Sequence, residues 1–174
     1  MVELYVPVLS ELGYRERLLK DKATMEYNAG YDLGMDNYDI NSGCIDFRME
    51  YHSDWYNRWI GKDNRYYAYL YDRTINTFVG EVSFRYDSNL DGFMVGIIIE
   101  DKHRGKGYSK EGLTLLCNKA FNEYGAKVLF DDIPTKRVNA IKLFEKLGFV
   151  VDKKYNQKKF ESEEEISLMR LNRA

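Results

Sequence analysis

Seven apolar residues stand in a row at Phe93-Met94-Val95-Gly96-Ile97-Ile98-Ile99. A turn-forming segment, Asp87-Ser88-Asn89-Leu90-Asp91-Gly92, precedes them, and charge returns at Glu100. The run is far short of the roughly 20 residues that a bilayer span needs. Its apolar continuity, without alternation, reads as a strand covered on both faces, at the centre of a sheet. The next residues narrow the options further. Arg104-Gly105-Lys106-Gly107-Tyr108-Ser109 is a short basic loop, and a helix opens directly behind it. That helix carries Leu113, Leu116, Cys117, Ala120, Phe121 and Tyr124 on its buried stripe and stops at Gly125. Strand, glycine-bearing basic loop and helix together make an anion site. The first N–H groups of a helix lack internal partners, and its dipole favours negative charge there. The glycines allow close approach to the backbone, and Arg104 and Lys106 add charge.

Two common phosphate loops fail here. A P-loop needs Ser or Thr after its Gly-Lys pair and a further glycine five residues earlier; the chain has Gly107 and Glu100 at those places. A dinucleotide fingerprint built on Gly105 and Gly107 needs glycine at 110, which is Lys110.

The rest of the chain supports one mixed α/β domain over residues 1–174, with no repeat and no linker. Val2–Leu9 reads as a strand, Glu11–Met25 as an amphipathic helix, residues 27–44 as a long tyrosine-bearing loop, and Met49–Ile60 as a helix. Arg65–Tyr71 and Thr77–Tyr86 alternate as strands. In the second, Phe78, Val82 and Phe84 are expected on one face and Val79, Glu81 and Ser83 on the other. Lys127–Asp131 is a short strand, and Val138–Leu147 is a helix with Ala140, Leu143, Phe144 and Leu147 inward. Phe149–Tyr155 and Ile166–Leu171 are the closing strands, joined by a loop of lysines and glutamates.

Composition matters where it is uneven. Net charge is −2, yet residues 26–101 hold 14 acids against 6 bases, and residues 102–160 hold 14 bases against 6 acids. The basic half suits phosphates and the acidic half suits a cation. Eleven of the 15 tyrosines lie before residue 72, nine of them in the acidic stretch that begins at residue 26, where they serve as core or as cleft wall. The two cysteines, Cys44 and Cys117, give no disulfide framework and no metal-ligand spacing. No metal, membrane span, secretory leader or nucleic-acid partner is expected, and the default location is cytoplasmic.

The loop Arg104-Gly105-Lys106-Gly107-Tyr108-Ser109 resembles the acyl-CoA loop of the GNAT N-acetyltransferase superfamily: Arg or Gln, two residues, Gly, one residue, then Gly or Ala. Here Ser109 takes the last place. About 35 residues on, Asn139-Ala140-Ile141-Lys142-Leu143-Phe144-Glu145-Lys146-Leu147-Gly148-Phe149 resembles that family's second CoA-contacting helix. Gly107-Tyr108-Ser109-Lys110-Glu111 is closest in style to the ribosomal-protein N-terminal acetyltransferase branch. The resemblance implies a GNAT-like fold, a central twisted mixed sheet flanked by helices, with a CoA-binding core over about residues 77–149. It implies that the sheet splays beside the central strand to admit acetyl-CoA. The backbone of Ile97, Ile98 and Ile99 would pair with the pantetheine arm, and an N–H near Ile98–Ile99 would polarise the thioester. The segment Arg104, Gly105, Lys106, Gly107, Tyr108, Ser109, Lys110 would hold the pyrophosphate, with Asn139 and Lys142 on the second helix facing the cofactor.

The implied reaction moves an acetyl group to a primary amine of a small cationic molecule or a peptide N-terminus. Glu81, mid-strand, and Glu100, at the end of the central strand, are the candidate bases. Two places depart from the family: Arg137 stands where many relatives have Asn, and Phe144 where many have the Tyr that protonates the leaving thiolate. Phe has no proton to give. CoA binding without catalysis, and a purely interacting protein with its tyrosine-rich half as interface, stay open as alternatives. A homodimer is compatible with all three. Asp131 and Asp132 read as turn caps, His103 as a solvated or phosphate-side group, and His52 as a surface residue.

Overall fold

The computed structural model describes all 174 residues. Seven strands form one mixed sheet: β1 (Val2–Tyr5), β2 (Arg65–Asp72), β3 (Thr77–Asp87), β4 (Gly92–Ile99), β5 (Val128–Pro134), β6 (Val150–Lys159) and β7 (Ser162–Asn172). Their order across the sheet is β1-β2-β3-β4-β5-β7-β6, which puts the all-apolar strand β4 at the centre. Every neighbouring pair is antiparallel except β4 and β5, which are parallel. A parallel neighbour requires a crossover, and α4 (Tyr108–Glu123) supplies it. The remaining helices are α1 (Gly13–Lys20), α2 (Lys22–Met25), α3 (His52–Trp59) and α5 (Val138–Lys146).

Side chains on the two faces of the sheet build two cores. The larger one joins Val82, Phe84, Val95 and Ile99 to Leu113, Leu116 and Ala120 of α4 and Phe144 of α5. The smaller one lies on the opposite face, where Tyr67, Tyr69 and Ile98 meet Leu12, Leu19, Met25, Phe47 and Trp55. Nine of the 15 tyrosines sit in or against these cores, so much of the aromatic excess is structural. No helix is long and apolar enough to cross a membrane.

Four local expectations change. The first strand stops at Tyr5, since Pro7 has no N–H for a ladder and Val8 opens a 3-10 turn. The expected N-terminal helix is broken at Asp21, which is extended at φ −77° and ψ 110° and splits it into α1 and α2. In β3 the register slips between Leu70 and Tyr71 of β2, so that Gly80 opposes Leu70, Phe78 opposes Tyr71, and Val79 is the extra residue. That bulge turns Val79 to the larger core beside Val82 and Phe84, and Phe78 to the smaller core with Tyr69. Finally, the lysine and glutamate stretch is strand rather than loop. Lys158 pairs with Glu163, and the diagonal neighbours Lys154–Glu165 and Lys159–Glu164 lie 3.6 and 3.8 Å apart, so opposite charges meet across the hairpin. The tip reaches back to the long loop, where the Phe160 N–H donates to the Gly30 carbonyl at 2.7 Å.

His52 is also inside rather than on the surface. Its ring stacks on Phe47 at 4.7 Å, and Nε2 lies 2.9 Å from the Phe47 carbonyl and 3.3 Å from Glu16.

Candidate active site

β4 and β5 are paired only at Phe93–Leu129 and Met94–Phe130. Beyond Met94 the strands diverge, so the β5-facing backbone groups of β4 lose their partners inside the sheet. The wedge that opens is a cavity of about 470 Å³. Its walls include Gly96, Ile97, Ile98 and Ile99 from β4, Glu81 and Ser83 from β3, and Asp131, Asp132 and Ile133 from β5. Arg104 and Ser109 close one end, and Arg137, Ala140, Leu143 and Phe144 close another. The segment Ile97–Ile99, singled out by its sequence, is thus brought to the wedge.

The basic loop lies at the mouth. Gly105 and Gly107 have φ of +75° and +86°, the region that favours glycine, and a Cβ on either would meet nothing within 4 Å. Gly107 is the N-cap of α4, so the free N–H groups of the first turn, Tyr108, Ser109 and Lys110, are displayed to the loop's open side. The side chains around them divide. Lys106 Nζ is held by the Lys102 carbonyl at 3.3 Å, and Lys110 is exposed. The Tyr108 hydroxyl turns away into the molecule and donates to Asp72 at 2.6 Å, so only its backbone faces the loop. Arg104 reaches across to α2, donating to the Thr24 carbonyl at 2.7 Å and to the Ile99 carbonyl at 3.2 Å. It pins the N-terminal helices to the loop as well as lining the cavity.

On α5 the cavity is met by Ala140, Leu143 and Phe144. Asn139 lies outside it, on a shallow groove with Lys136, Arg137 and Val138, and Lys142 is exposed. Helical spacing accounts for this, since 140, 143 and 144 share the inward stripe that 139 and 142 do not.

Glu81 faces the cavity from the small-core side and is only 7% exposed. Both its oxygens are taken by Arg15 Nη1, at 2.5 and 2.6 Å, and the Tyr67 hydroxyl donates to it as well. Arg15 lies over three rings, Phe47, Trp55 and Tyr67, with its guanidinium carbon 5.1, 4.7 and 5.2 Å from their centroids. Burial opposes that cation, but Glu81 and Tyr67 hold its pKa above the ordinary value. Aromatic stacking and a carboxylate thus fix an arginine that helical spacing puts in line with Leu12, Leu18 and Leu19 but to which the sequence assigns no role. Glu100 is placed differently. It is not among the cavity walls; Lys102 pairs with it at 3.1 Å and Tyr14 donates to it at 3.3 Å. His103 is buried against the Tyr108 ring instead of solvated, and burial pushes its pKa down.

Three further residues join the site. Tyr27, from the turn after α2, lines the cavity under the Arg137 guanidinium, 5.5 Å from its ring centre, and burial pushes its hydroxyl up to about 12. Arg137 therefore bridges the β5–α5 connection to the tyrosine-bearing loop. Asp131 lies in the cavity instead of capping a turn. Burial, then the charge of Asp132, drives its carboxyl well above the usual range. A charged residue between Leu129 and Ile133, on a face otherwise apolar, was the available sequence signal. Nowhere do three or more His, Cys, Asp or Glu side chains gather in a group able to hold a metal ion.

The profile of the GNAT acetyltransferase domain matches residues 11–150. Among solved structures, the fold is similar to spermidine N-acetyltransferase from Vibrio cholerae in complex with CoA and spermine. The two are 16% identical, with a TM-score of 0.77 over 98% of this chain and 95% of that one. It is also similar to spermidine/spermine N-acetyltransferase from the same organism in complex with manganese ions, at 13% identity and a TM-score of 0.70 over 98% and 92%. A comparison with curated protein sequences finds no match.

Proposed function

The chain belongs to the GNAT acetyltransferase family, and from that premise we propose that it moves an acetyl group from acetyl-CoA to a primary amine of a small cationic molecule or a peptide N-terminus. One observation carries the reading: the wedge between β4 and β5 opens beside a helix N-terminus whose loop has two positive-φ glycines. A thioester arm laid along Ile97–Ile99 satisfies backbone groups that β5 leaves unpaired. The diphosphate sits on the amides of residues 105–110, with Lys106 and Lys110 supplying charge. A β4 N–H near Ile98–Ile99 polarises the thioester carbonyl.

The acceptor enters from the small-core side, where Glu81 faces the cavity. The structurally similar Vibrio enzymes are named for spermidine and spermine, so polyamines lead the range of acceptors here. Glu81 attracts and orients the ammonium and takes its proton through water, since Arg15 and Tyr67 occupy its oxygens directly. Glu100, outside the cavity walls, is left with an ion-pair role. Phe144, 3% exposed, favours a second reading, in which CoA is held but not used, because that ring offers no proton.

Calorimetric titration with acetyl-CoA and a thiol-release assay over spermidine, spermine, an aminoglycoside and a short peptide separate the two. Binding with release for at least one amine is expected. Binding without release for any amine selects the second reading, and no binding at several hundred micromolar ends both.

A further inference from the structure

β5 leaves β4 after Phe130, and the next residue is Asp131, at the apex of the wedge. Strand alternation gives Asp131 the same face as Leu129 and Ile133, both in the larger core, and its β7 partner Met169 belongs to that core too. This is the face on which α4 and α5 pack. Asp131 therefore stands on the side of the loop that would hold the cofactor, in one cavity with the Phe144 ring, while Glu81 stands on the other side. The groups that act on its carboxyl are the adjacent Asp132 charge, a backbone bond at Asp132 and the Arg137 guanidinium. Other titratable or charged groups on the cavity wall are Tyr27 from the turn after α2, Glu81 from β3 and Arg104 from the basic loop.

We infer that Asp131 is the proton donor to the departing thiolate, the task for which Phe144 has no hydroxyl. The inference rests on the acetyl-transfer reading above and assigns a residue within it. The amine nitrogen bonds to the thioester carbon, and as the carbon–sulfur bond breaks its electron pair goes to sulfur with the Asp131 proton. The ammonium has by then lost one proton through water on the Glu81 side, which leaves to solvent; once bonded to carbon, the nitrogen gives up a second, which returns through cavity water to the Asp131 carboxylate. The sum is amide and thiol, with the carboxyl restored. Burial and Asp132 keep that proton on Asp131 at higher pH than an exposed aspartate would, while Arg137 opposes them in part.

The test compares wild type, Asp131→Asn and the double variant Asp131→Asn with Phe144→Tyr, using acetyl-CoA and spermidine, or the amine from the panel that reacts fastest. As a donor, Asp131 makes wild-type kcat fall on the alkaline side of its own titration. Asp131→Asn lowers kcat about 100-fold and removes that limb, with acetyl-CoA affinity unchanged within about threefold. Tyrosine at 144 restores at least about tenfold in the Asn background, because its hydroxyl enters the same cavity. Carbon-13 titration of the side-chain carboxyls gives a readout free of turnover: one signal titrates well above the ordinary aspartate range and is absent from Asp131→Asn. A kcat that stays within about threefold in Asp131→Asn overturns the assignment, as does a wild-type kcat that rises through that titration, the behaviour of a base. So does an Asp131 carboxyl that titrates in the ordinary aspartate range. Active wild type with an indifferent Asp131→Asn ends this inference alone, whereas wild type silent toward every amine ends the transfer reading with it.

Discussion

Arg15→Met takes the cation out of a box walled by Phe47, Trp55 and Tyr67 and leaves Glu81 without its ion partner. The side chains of the pair are only 15% and 9% exposed, so the stranded carboxylate is not rescued by bulk water. Removing one member of such a pair costs about 3–5 kcal/mol. Two effects set the position within that range. Tyr67 keeps its hydrogen bond to the charge, and the methionine sulfur recovers about 0.3–1.5 kcal/mol against the rings where the guanidinium gave about 0.5–2. A loss of about 3–4 kcal/mol results. At roughly 2–4 °C per kcal/mol for a chain of this size, melting falls by about 6–16 °C. Urea unfolding followed by circular dichroism and by the fluorescence of Trp55 and Trp59 measures it. Neutralising the stranded charge with Glu81→Gln in the Arg15→Met background returns about 2 kcal/mol, so the double variant is more stable than the sum of the singles. A single-variant loss under about 1 kcal/mol, or strict additivity of the two, refutes the account of a buried, mutually dependent pair.

Gly107→Val forces a β-branched residue to φ +86°, which costs roughly 1–2 kcal/mol of stability, and it weakens acetyl-CoA binding by titration calorimetry far more than the fold, since the new Cβ meets no protein atom. Gly30→Ala places a methyl 2.7 Å from the Phe160 ring at a φ of +91°, so hydrogen exchange at the Phe160 amide accelerates while the amides of β3 stay protected. The Tyr108 hydroxyl bond holds the Asp72 carboxyl below its ordinary 3.8, so the stability it adds is full above about pH 4 and is lost as pH falls through the lowered value. Tyr108→Phe should therefore flatten the acid limb of a melting-temperature profile.

The central architecture is legible in the sequence because it rests on local patterns. The uninterrupted run at Phe93–Ile99 reads as the central strand and is one, although its second half is only half-buried where it lines the wedge, and the glycines at 105 and 107 stand just before a helix start as expected. Strict alternation puts Phe78 on the wrong face, because it holds only until a bulge intervenes, and the bulge at Val79 is set by pairing with β2, a separate segment of the chain. The charged run at 156–165 reads as loop by hydropathy. Its strand character comes from cross-strand Lys–Glu neighbours and from docking on Gly30, both invisible to a window moved along one segment. At the site, backbone-mediated positions are the easier half. The helical spacing of Arg15 with Leu12, Leu18 and Leu19 is visible, but not its partners, because Phe47, Trp55 and Tyr67 converge on it from separate segments of the chain. The family motif points to Asn139 and Lys142, which lie outside the cavity, whereas the α5 residues on its wall are 140, 143 and 144.

The two paired positions between β4 and β5 are the seam of the molecule. On one side lie β1 to β4, and on the other the three strands β5, β7 and β6, stitched to each other along most of their length. A sheet divided so unevenly transmits strain poorly across its middle. Edge to edge the halves meet only there, and otherwise they are joined through the larger core, which holds Phe84 and Val95 from one and Leu129 and Met169 from the other. A rod-like ligand drawn into the gap works as a spline, lending hydrogen bonds to the flank of β4 that has none and coupling the halves into one cooperative unit. Occupancy then registers as a rise in unfolding temperature with ligand concentration, and as shared protection of amides that exchange independently when the gap is empty.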